Sequence, residues 1–280
     1  MKRNAAFFLC LVCSGILLGA EPVDGGQTKR VLLIGQSPDN HKPTTHEYMP
    51  SAALMYTMLS RVDGVQPVVV KADGKWEGGP DLLDSADGVF LFVSEGARWI
   101  SKEPKRLAAF QRLAKRGGGL CCWHWGMGSR TAQPIDAFVK LFGGCHGGPD
   151  RKYKFANLPA TIVTPMHPVL RGVEPFRGEE EFYYALKFGK NHQHVIPLMT
   201  VEIDGNSHTV SWALERPEGG RSFGFSGGHY HARWQMESYR RLAVHGVLWS
   251  IKVPFKKPVN VDADDQMLRL LPRVNSKSAG

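Results

Sequence analysis

Imidazole and carboxylate groups recur at four places in this 280-residue sequence where the chain should turn out of a buried element. The sharpest is Gly117-Gly118-Gly119-Leu120-Cys121-Cys122-Trp123-His124-Trp125-Gly126-Met127-Gly128. Its apolar run reads as a buried strand, and its glycines permit a tight turn just where His124 follows. That resembles a nucleophile elbow, in which a strand-to-helix turn exposes one side chain and aims backbone N–H groups at the same spot. Imidazole there suits general acid/base work or metal ligation better than nucleophilic attack. The bland alternative is a hydrogen-bonded structural histidine. The second place is Gly227-Gly228-His229-Tyr230-His231-Ala232-Arg233-Trp234, with two histidines at i, i+2, which extended backbone puts on one face. The third is Glu181 in Gly178-Glu179-Glu180-Glu181-Phe182-Tyr183-Tyr184, where a carboxylate entering an aromatic strand could act as general base or orient a histidine, while Glu179 and Glu180 read as solvated. The fourth is the polar loop Gln36 to Glu47, carrying His41 and His46.

Two histidines alone are a weak metal signature, because zinc usually takes three or four protein ligands. His41, His46, His124, His146, His167 and Glu181 are the further groups that the fold could bring to His229 and His231. A metal-free polar pocket is the favoured reading and a divalent metal the alternative. Cys122 invites a cysteine-hydrolase reading. However, it lies two residues before His124, inside the strand on the side of Leu120, and reads as a buried, unreactive thiol. For His167, in Met166-His167-Pro168, turn stabilisation or helix capping outranks ligand contact.

These groups need a scaffold, and the apolar pattern supplies one. Val31 to Ile34, Val68 to Val70, Val89 to Val93 and Leu120 to Trp123 are short continuous apolar runs. They alternate with helical patterns around Ala53 to Leu59, Leu107 to Ala114 and Ile135 to Phe142. That alternation predicts a parallel sheet covered on both faces. Beyond it lie shorter strand candidates at Thr161 to Val163, Phe182 to Phe188, Leu198 to Ile203, Thr209 to Leu214 and Ser222 to Phe225, which read as antiparallel additions. A helix from Tyr239 to Ile251 closes the domain, and residues 256–280 read as a surface-hugging tail. In an open parallel sheet, ligands bind beyond the carboxyl ends of the strands, and the first, third and fourth strands deliver their polar loops to that common edge.

The 35 Lys+Arg against 26 Asp+Glu leave a charge of +9, and 42% hydrophobic residues exclude a disordered chain. Lys2 and Arg3, the apolar run Ala5 to Leu18 and the small pair Gly19-Ala20 read as a signal peptide over residues 1–20, shorter than a membrane span. Export to the periplasm or the extracellular space follows, with no stable membrane insertion after cleavage. The densest basic run, Lys102, Lys105, Arg106, Arg112, Lys115 and Arg116, reads as the solvated face of an amphipathic helix, so no nucleic-acid partner is expected. Three cysteines remain after the leader, two of them adjacent, which argues against a disulfide framework.

Taken in order, the Gly117 to His124 strand and turn, Gly143-Gly144 with His146, His167-Pro168 followed by Gly172, Glu181-Phe182-Tyr183, Gly220-Arg221 leading into Gly228-His229, and the helix ending in Leu248-Trp249 resemble the ThuA-like family. That family is named after a trehalose-utilisation protein and is similar in fold to class I glutamine amidotransferases. The resemblance implies a flavodoxin-like three-layer α/β/α sandwich over residues 21–255, and a site around His124, Glu181 and His229 with His41 from the first loop. It does not carry over amidotransferase activity, since His124 stands where those enzymes have Cys. The resulting expectation is a protein that acts on or binds a sugar or keto-sugar. His124, Glu181 and His229 would do the chemistry, and His41, Trp125, Tyr183 and His231 would contact the ligand, with Tyr230 a further stacking ring. A non-catalytic glycan-binding or partner-interaction module and a metal-dependent hydrolase or isomerase are the alternatives. Oligomeric state is not legible.

Overall fold

The structure, a computed structural model, describes residues 27–189 and 194–270. The signal-peptide reading of residues 1–20 falls outside them. In chain order the first half runs β1 (Lys29–Gly35), α1 (Tyr48–Leu59), β2 (Val65–Lys71), α2 (Gly79–Asp84), β3 (Gly88–Leu91), α3 (Gly96–Lys102), α4 (Pro104–Lys115), β4 (Gly119–Trp123), β5 (Gly128–Ser129) and α5 (Ile135–Phe142). The second half runs β6 (Gly144–Gly147), β7 (Lys152–Ile162), β8 (Phe176–Tyr184), β9 (Lys187–Phe188), β10 (Val195–Ile203), β11 (Asn206–Glu215), β12 (Arg221–Phe225), α6 (Glu237–Ser250) and α7 (Asp265–Leu268).

Nine strands form one sheet in the order β2-β1-β3-β4-β12-β11-β10-β7-β8. The first five are parallel, with β12 in the fifth place, which is the flavodoxin-like order. The other four are antiparallel additions, as the weaker strand patterns of the second half predict. Val31 to Ile34 on β1 and Leu120 to Trp123 on β4 are buried, because helices cover both faces of a parallel sheet and leave no polar side for the strand to show. α1 and α6 pack together over one face, and α2 to α5 pack together over the other. A small second sheet, β5-β6-β9, closes one corner.

Two departures from the sequence pattern shape the site. β7 and β8 are longer than their apolar content suggests, and Gly178 to Glu181 already belong to β8. The two strands pair from Lys152 opposite Tyr184 to Ala160 opposite Phe176, whereas β7 touches β10 only through Thr161 and Ile162. The hairpin thus leaves the sheet as an arm, and most of its backbone hydrogen bonds are internal. The second departure is Arg106 of the basic run. It is buried, stacks over the Trp99 ring at 4.0 Å, and donates to the carbonyls of Trp99 and Lys75. Arg112 in the same run forms a forked pair with Asp84 at 2.9 and 2.7 Å, joining α4 to α2.

After α6 the chain turns back along the domain. Arg240 donates to the Val261 carbonyl, the Val259 N–H donates to His245, and Val261 and Leu268 are buried. No helix among the described residues is long and apolar enough to cross a membrane.

The strand-end loops approach one another closely. A Cβ on Gly96, at the start of α3, would lie 2.0 Å from the Gly126 carbonyl oxygen, which is backbone and cannot rotate away. Gly96→Ala should therefore cost about 1–3 kcal/mol, the range for overpacking a tight contact. Urea unfolding of the variant against wild type measures it, and an unchanged midpoint would mean that these loops are not held as described.

Candidate functional site

Four segments remote in sequence bring one ligand-type atom each to a single point. His46 comes from the loop between β1 and α1, His124 from the end of β4, His229 from the loop after β12, and Glu181 from the β8 arm. All four are buried. The Glu181 Oε2 atom lies 2.8 Å from His229 Nδ1, 3.3 Å from His124 Nε2 and 3.8 Å from His46 Nε2. His46 Nε2 is itself 3.0 Å from His229 Nδ1 and 3.3 Å from His124 Nε2.

Backbone geometry aims these side chains. His124 has φ 44°, the left-handed conformation of an elbow, and a short 3-10 turn, His124–Met127, follows it. His46 at φ 50° and Glu95 at φ 46° are also left-handed, just before α1 and α3. Gly228, at φ 127°, lets the His229 loop lie against β4, for a Cβ there would come within 2.4 Å of Trp123 Nε1. The His46 and His229 loops are laced together by His46 N–H to the His229 carbonyl and by His231 N–H to the Thr44 carbonyl, at 2.9 and 2.8 Å.

Glu180 holds the same loop from below. Contrary to the solvated reading, it is buried and accepts hydrogen bonds from the backbone N–H groups of Gly228 and His229 at 3.1 and 3.0 Å. Burial raises its pKa to about 7, against the lowering effect of those backbone bonds.

The outer hydrogen bonds set the tautomers. His124 Nδ1 donates to the Ser226 carbonyl at 2.7 Å, leaving the Nε2 lone pair facing the cluster. Tyr48 donates its hydroxyl proton to Asp39 at 2.6 Å, so its oxygen accepts from His46 Nδ1 at 3.1 Å and again the Nε2 lone pair faces inward. Burial pushes the His46 pKa down to about 3, holding that ring neutral. Burial would raise Glu181, but the imidazoles gathered around it, with His229 Nδ1 nearest at 2.8 Å, outweigh it and hold the carboxyl far below its usual range. The Nε2 lone pairs of His46 and His124, 3.3 Å apart, repel unless a proton or a cation lies between them. Four ligand atoms arranged tetrahedrally at zinc-like distances of about 2.0–2.1 Å are about 3.3 Å apart. The spacings here bracket that value, so this donor set can hold a first-row divalent ion.

Beside the cluster opens a pocket of about 130 Å³, lined by His41, Trp125, Arg130, His146, Arg151, Tyr153, Glu181 and Tyr183. Of the residues expected at the site, His124, Glu181 and His229 meet at the cluster, while His41, Trp125 and Tyr183 line the pocket. His41 stacks on His46 with ring centres 3.6 Å apart and bonds Asp39 at 2.6 Å. The Tyr183 hydroxyl lies 3.1 Å from His124 Nε2.

His231 does not join them. A 3-10 turn begins at that residue, so the extended i, i+2 geometry fails and its Nε2 donates instead to the Met267 carbonyl at 2.7 Å. His167 caps its turn by accepting from the Val169 N–H. Cys122 is buried, and burial keeps its thiol well above the usual range.

His46 is the central residue that sequence spacing ranks too low, since nothing local ties it to a partner 78 positions away. Arg130, Arg151 and Tyr153 also escaped notice. A cation and a ring beside the Gly147-Gly148 turn, at the start of a strand, were the available signal.

The ThuA family model, described as trehalose utilisation, matches residues 33–250, and the chain belongs to that family. Its fold is similar to a ThuA-like protein from Bacteroides uniformis (TM-score 0.63, 14% identity, 86% of this chain and 98% of that one). It is also similar to one from Parabacteroides merdae (0.59, 15%, 83% and 95%) and to a cytoplasmic protein from Salmonella typhimurium (0.52, 16%, 79% and 98%). No curated protein gives a match.

His146, stacked on Tyr183 at 3.8 Å, is also pushed down to about 3 by burial. Its unfolded ring takes a proton below about 6.5 and the folded ring does not, so the stability it contributes is lost as pH falls from 6.5 towards 3. Between pH 7 and pH 5, wild type should lose about 2 kcal/mol more than His146→Gln in urea unfolding. Equal losses would show that His146 is not held neutral.

Proposed function

We propose that His46, His124, His229 and Glu181 hold one divalent first-row metal ion, and that the ion acts on a sugar bound in the adjoining pocket. The observation that carries this reading is the convergence of three imidazole nitrogens and one carboxylate oxygen at metal-ligand spacing beside an open pocket. It reverses the order of the two readings that the sequence supports, because the sequence could place only His229 and His231 together. Three imidazoles with one carboxylate suit zinc, iron, cobalt or nickel better than the all-oxygen shells of calcium or magnesium.

The sugar is supported by the family's link to trehalose utilisation and by the pocket wall. Trp125 lines the pocket, and Tyr153 stands exposed on β7 at its rim. The pocket, of about 130 Å³, is open to solvent, so a sugar ring can seat in it with the remainder of a larger glycoside outside.

A bound ion would polarise a hydroxyl or carbonyl oxygen of that ring. The protein's own contribution is proton handling and position. Tyr183, whose pKa burial drives well above its ordinary value, keeps its proton and can donate it to a ligand oxygen next to His124. His41 and Trp125 flank the ring. We place the reaction outside the cytoplasm on the strength of the apolar leader.

Elemental analysis of the purified chain should find about one transition-metal ion per molecule. His124→Ala or Glu181→Ala should weaken binding at least a hundredfold, beyond the effect usual for an outer-shell partner. Chelation should lower Tm, since an ion present at a thousand times its Kd adds about 4 kcal/mol. A chain purified without metal, whose Tm zinc, cobalt, nickel and iron(II) leave unchanged, would overturn the metal centre. If such a chain still bound sugars, the metal-free pocket would stand in its place.

A further inference from the structure

The two arginines on the pocket wall differ in what already answers their charge. Arg130 is committed: its guanidinium pairs with Glu95, its backbone N–H donates to the same carboxylate at 3.0 Å, and it lies 5.4 Å over the Trp125 ring. Arg151 is not. Its side chain makes one hydrogen bond, to the Gly148 carbonyl at 3.3 Å, and no carboxylate among the described residues pairs with it. The neighbouring acid, Asp150, is taken by Lys187 at 2.5 Å.

Arg151 is half-buried, and the turn from Gly148 fixes its backbone where β7 begins. A guanidinium partly withdrawn from water without a counter-ion costs free energy. This cost is incurred on a wall shared with Glu181 and His146. His146 makes no hydrogen bond to the protein among the described residues, so its ring nitrogens are free for a ligand. A planar fork of N–H donors matches a carboxylate in geometry as well as charge, which a lysine would not.

We propose that the pocket selects an acidic sugar: the carboxylate of a uronic or aldonic acid pairs with Arg151, and the sugar backbone lies in the pocket beside Trp125 and the Glu181 cluster. This rests on the sugar-pocket reading above and adds the ligand's charge. Three neutral histidines and one carboxylate leave a divalent ion with a net single positive charge, so the loaded cluster and Arg151 act on an anion with the same sign. A sugar phosphate shares this chemistry, and the test separates the two sources.

Isothermal titration of the purified chain with glucose, glucuronate and glucose 6-phosphate decides it. Glucose and glucuronate share a ring and differ in a hydroxymethyl against a carboxylate. Glucuronate should bind at least tenfold more tightly than glucose, and the advantage should shrink on going from 50 to 200 mM NaCl. Arg151→Gln should reduce glucuronate to the affinity of glucose and leave glucose unchanged. Arg151→Lys should keep part of the preference, and Lys152→Gln, an exposed neighbour, should keep all of it.

A preference that survives in Arg151→Gln overturns the proposal, because the carboxylate would then be bound by the metal instead. Equal affinity for glucose and glucuronate overturns it while leaving the sugar pocket intact. A tenfold preference for glucose 6-phosphate over glucuronate overturns the carboxylate assignment in favour of phosphate. Binding of none of the three removes the sugar-pocket reading and this inference with it.

Discussion

Three imidazole nitrogens and a carboxylate oxygen lie within 4.8 Å of one another in a buried space, and much of the architecture serves to keep them there. Each ligand is held from behind by a different device. Ser226 fixes His124, the Tyr48 and Asp39 pair fixes His46, and Glu180 fixes the backbone that carries His229. Glu181 needs no outer partner of its own, because it is part of a strand whose register with β7 sets its position. The arrangement follows the general rule that groups behind the ligands set ring orientation and tautomer.

The arm formed by β7 and β8 joins binding to chemistry. Side chains two residues apart on a strand share a face, so Glu181 and Tyr183 both look into the site while Glu180 looks away beneath the His229 loop. Opposite them, β7 supplies Tyr153 to the pocket and Phe155 against the His229 ring at 5.2 Å. One hairpin thus carries the cluster's carboxylate, a tyrosine beside His124 and two exposed rings. Left-handed backbone at His46, Glu95 and His124, each an energetically costly conformation for a residue with a side chain, concentrates strain at the same end of the sheet.

The same sheet order supports unrelated chemistry in other proteins, and the difference lies in which side chain occupies the elbow. A cysteine there would be a nucleophile. Here His124 occupies it, and the cysteines of β4 are buried under helices, with Cys121 pushed up to about 12. Their thiols are packing groups. The chain keeps the fold and places a cluster of histidines and a glutamate at the elbow.

The parallel half of the sheet is legible from local pattern, because buried strands must be continuously apolar and Val31 to Ile34, Val89 to Phe92 and Leu120 to Trp123 can be little else. It also located His124 at an elbow, since glycines around a histidine at the end of such a strand leave few other conformations. Only the tertiary structure decided which other groups meet it. His46 and Glu181 lie 78 and 57 positions from His124, and their meeting depends on loop lacing and on an arm that leaves the sheet, neither of which has a local pattern. His229 and His231 show the converse: identical residues two apart look equivalent until a turn begins between them and sends one to the cluster and the other to the chain beyond α6. Glu180 and Glu181 are separated by the same physics, because adjacent strand residues face opposite ways and only packing decides which face is the site.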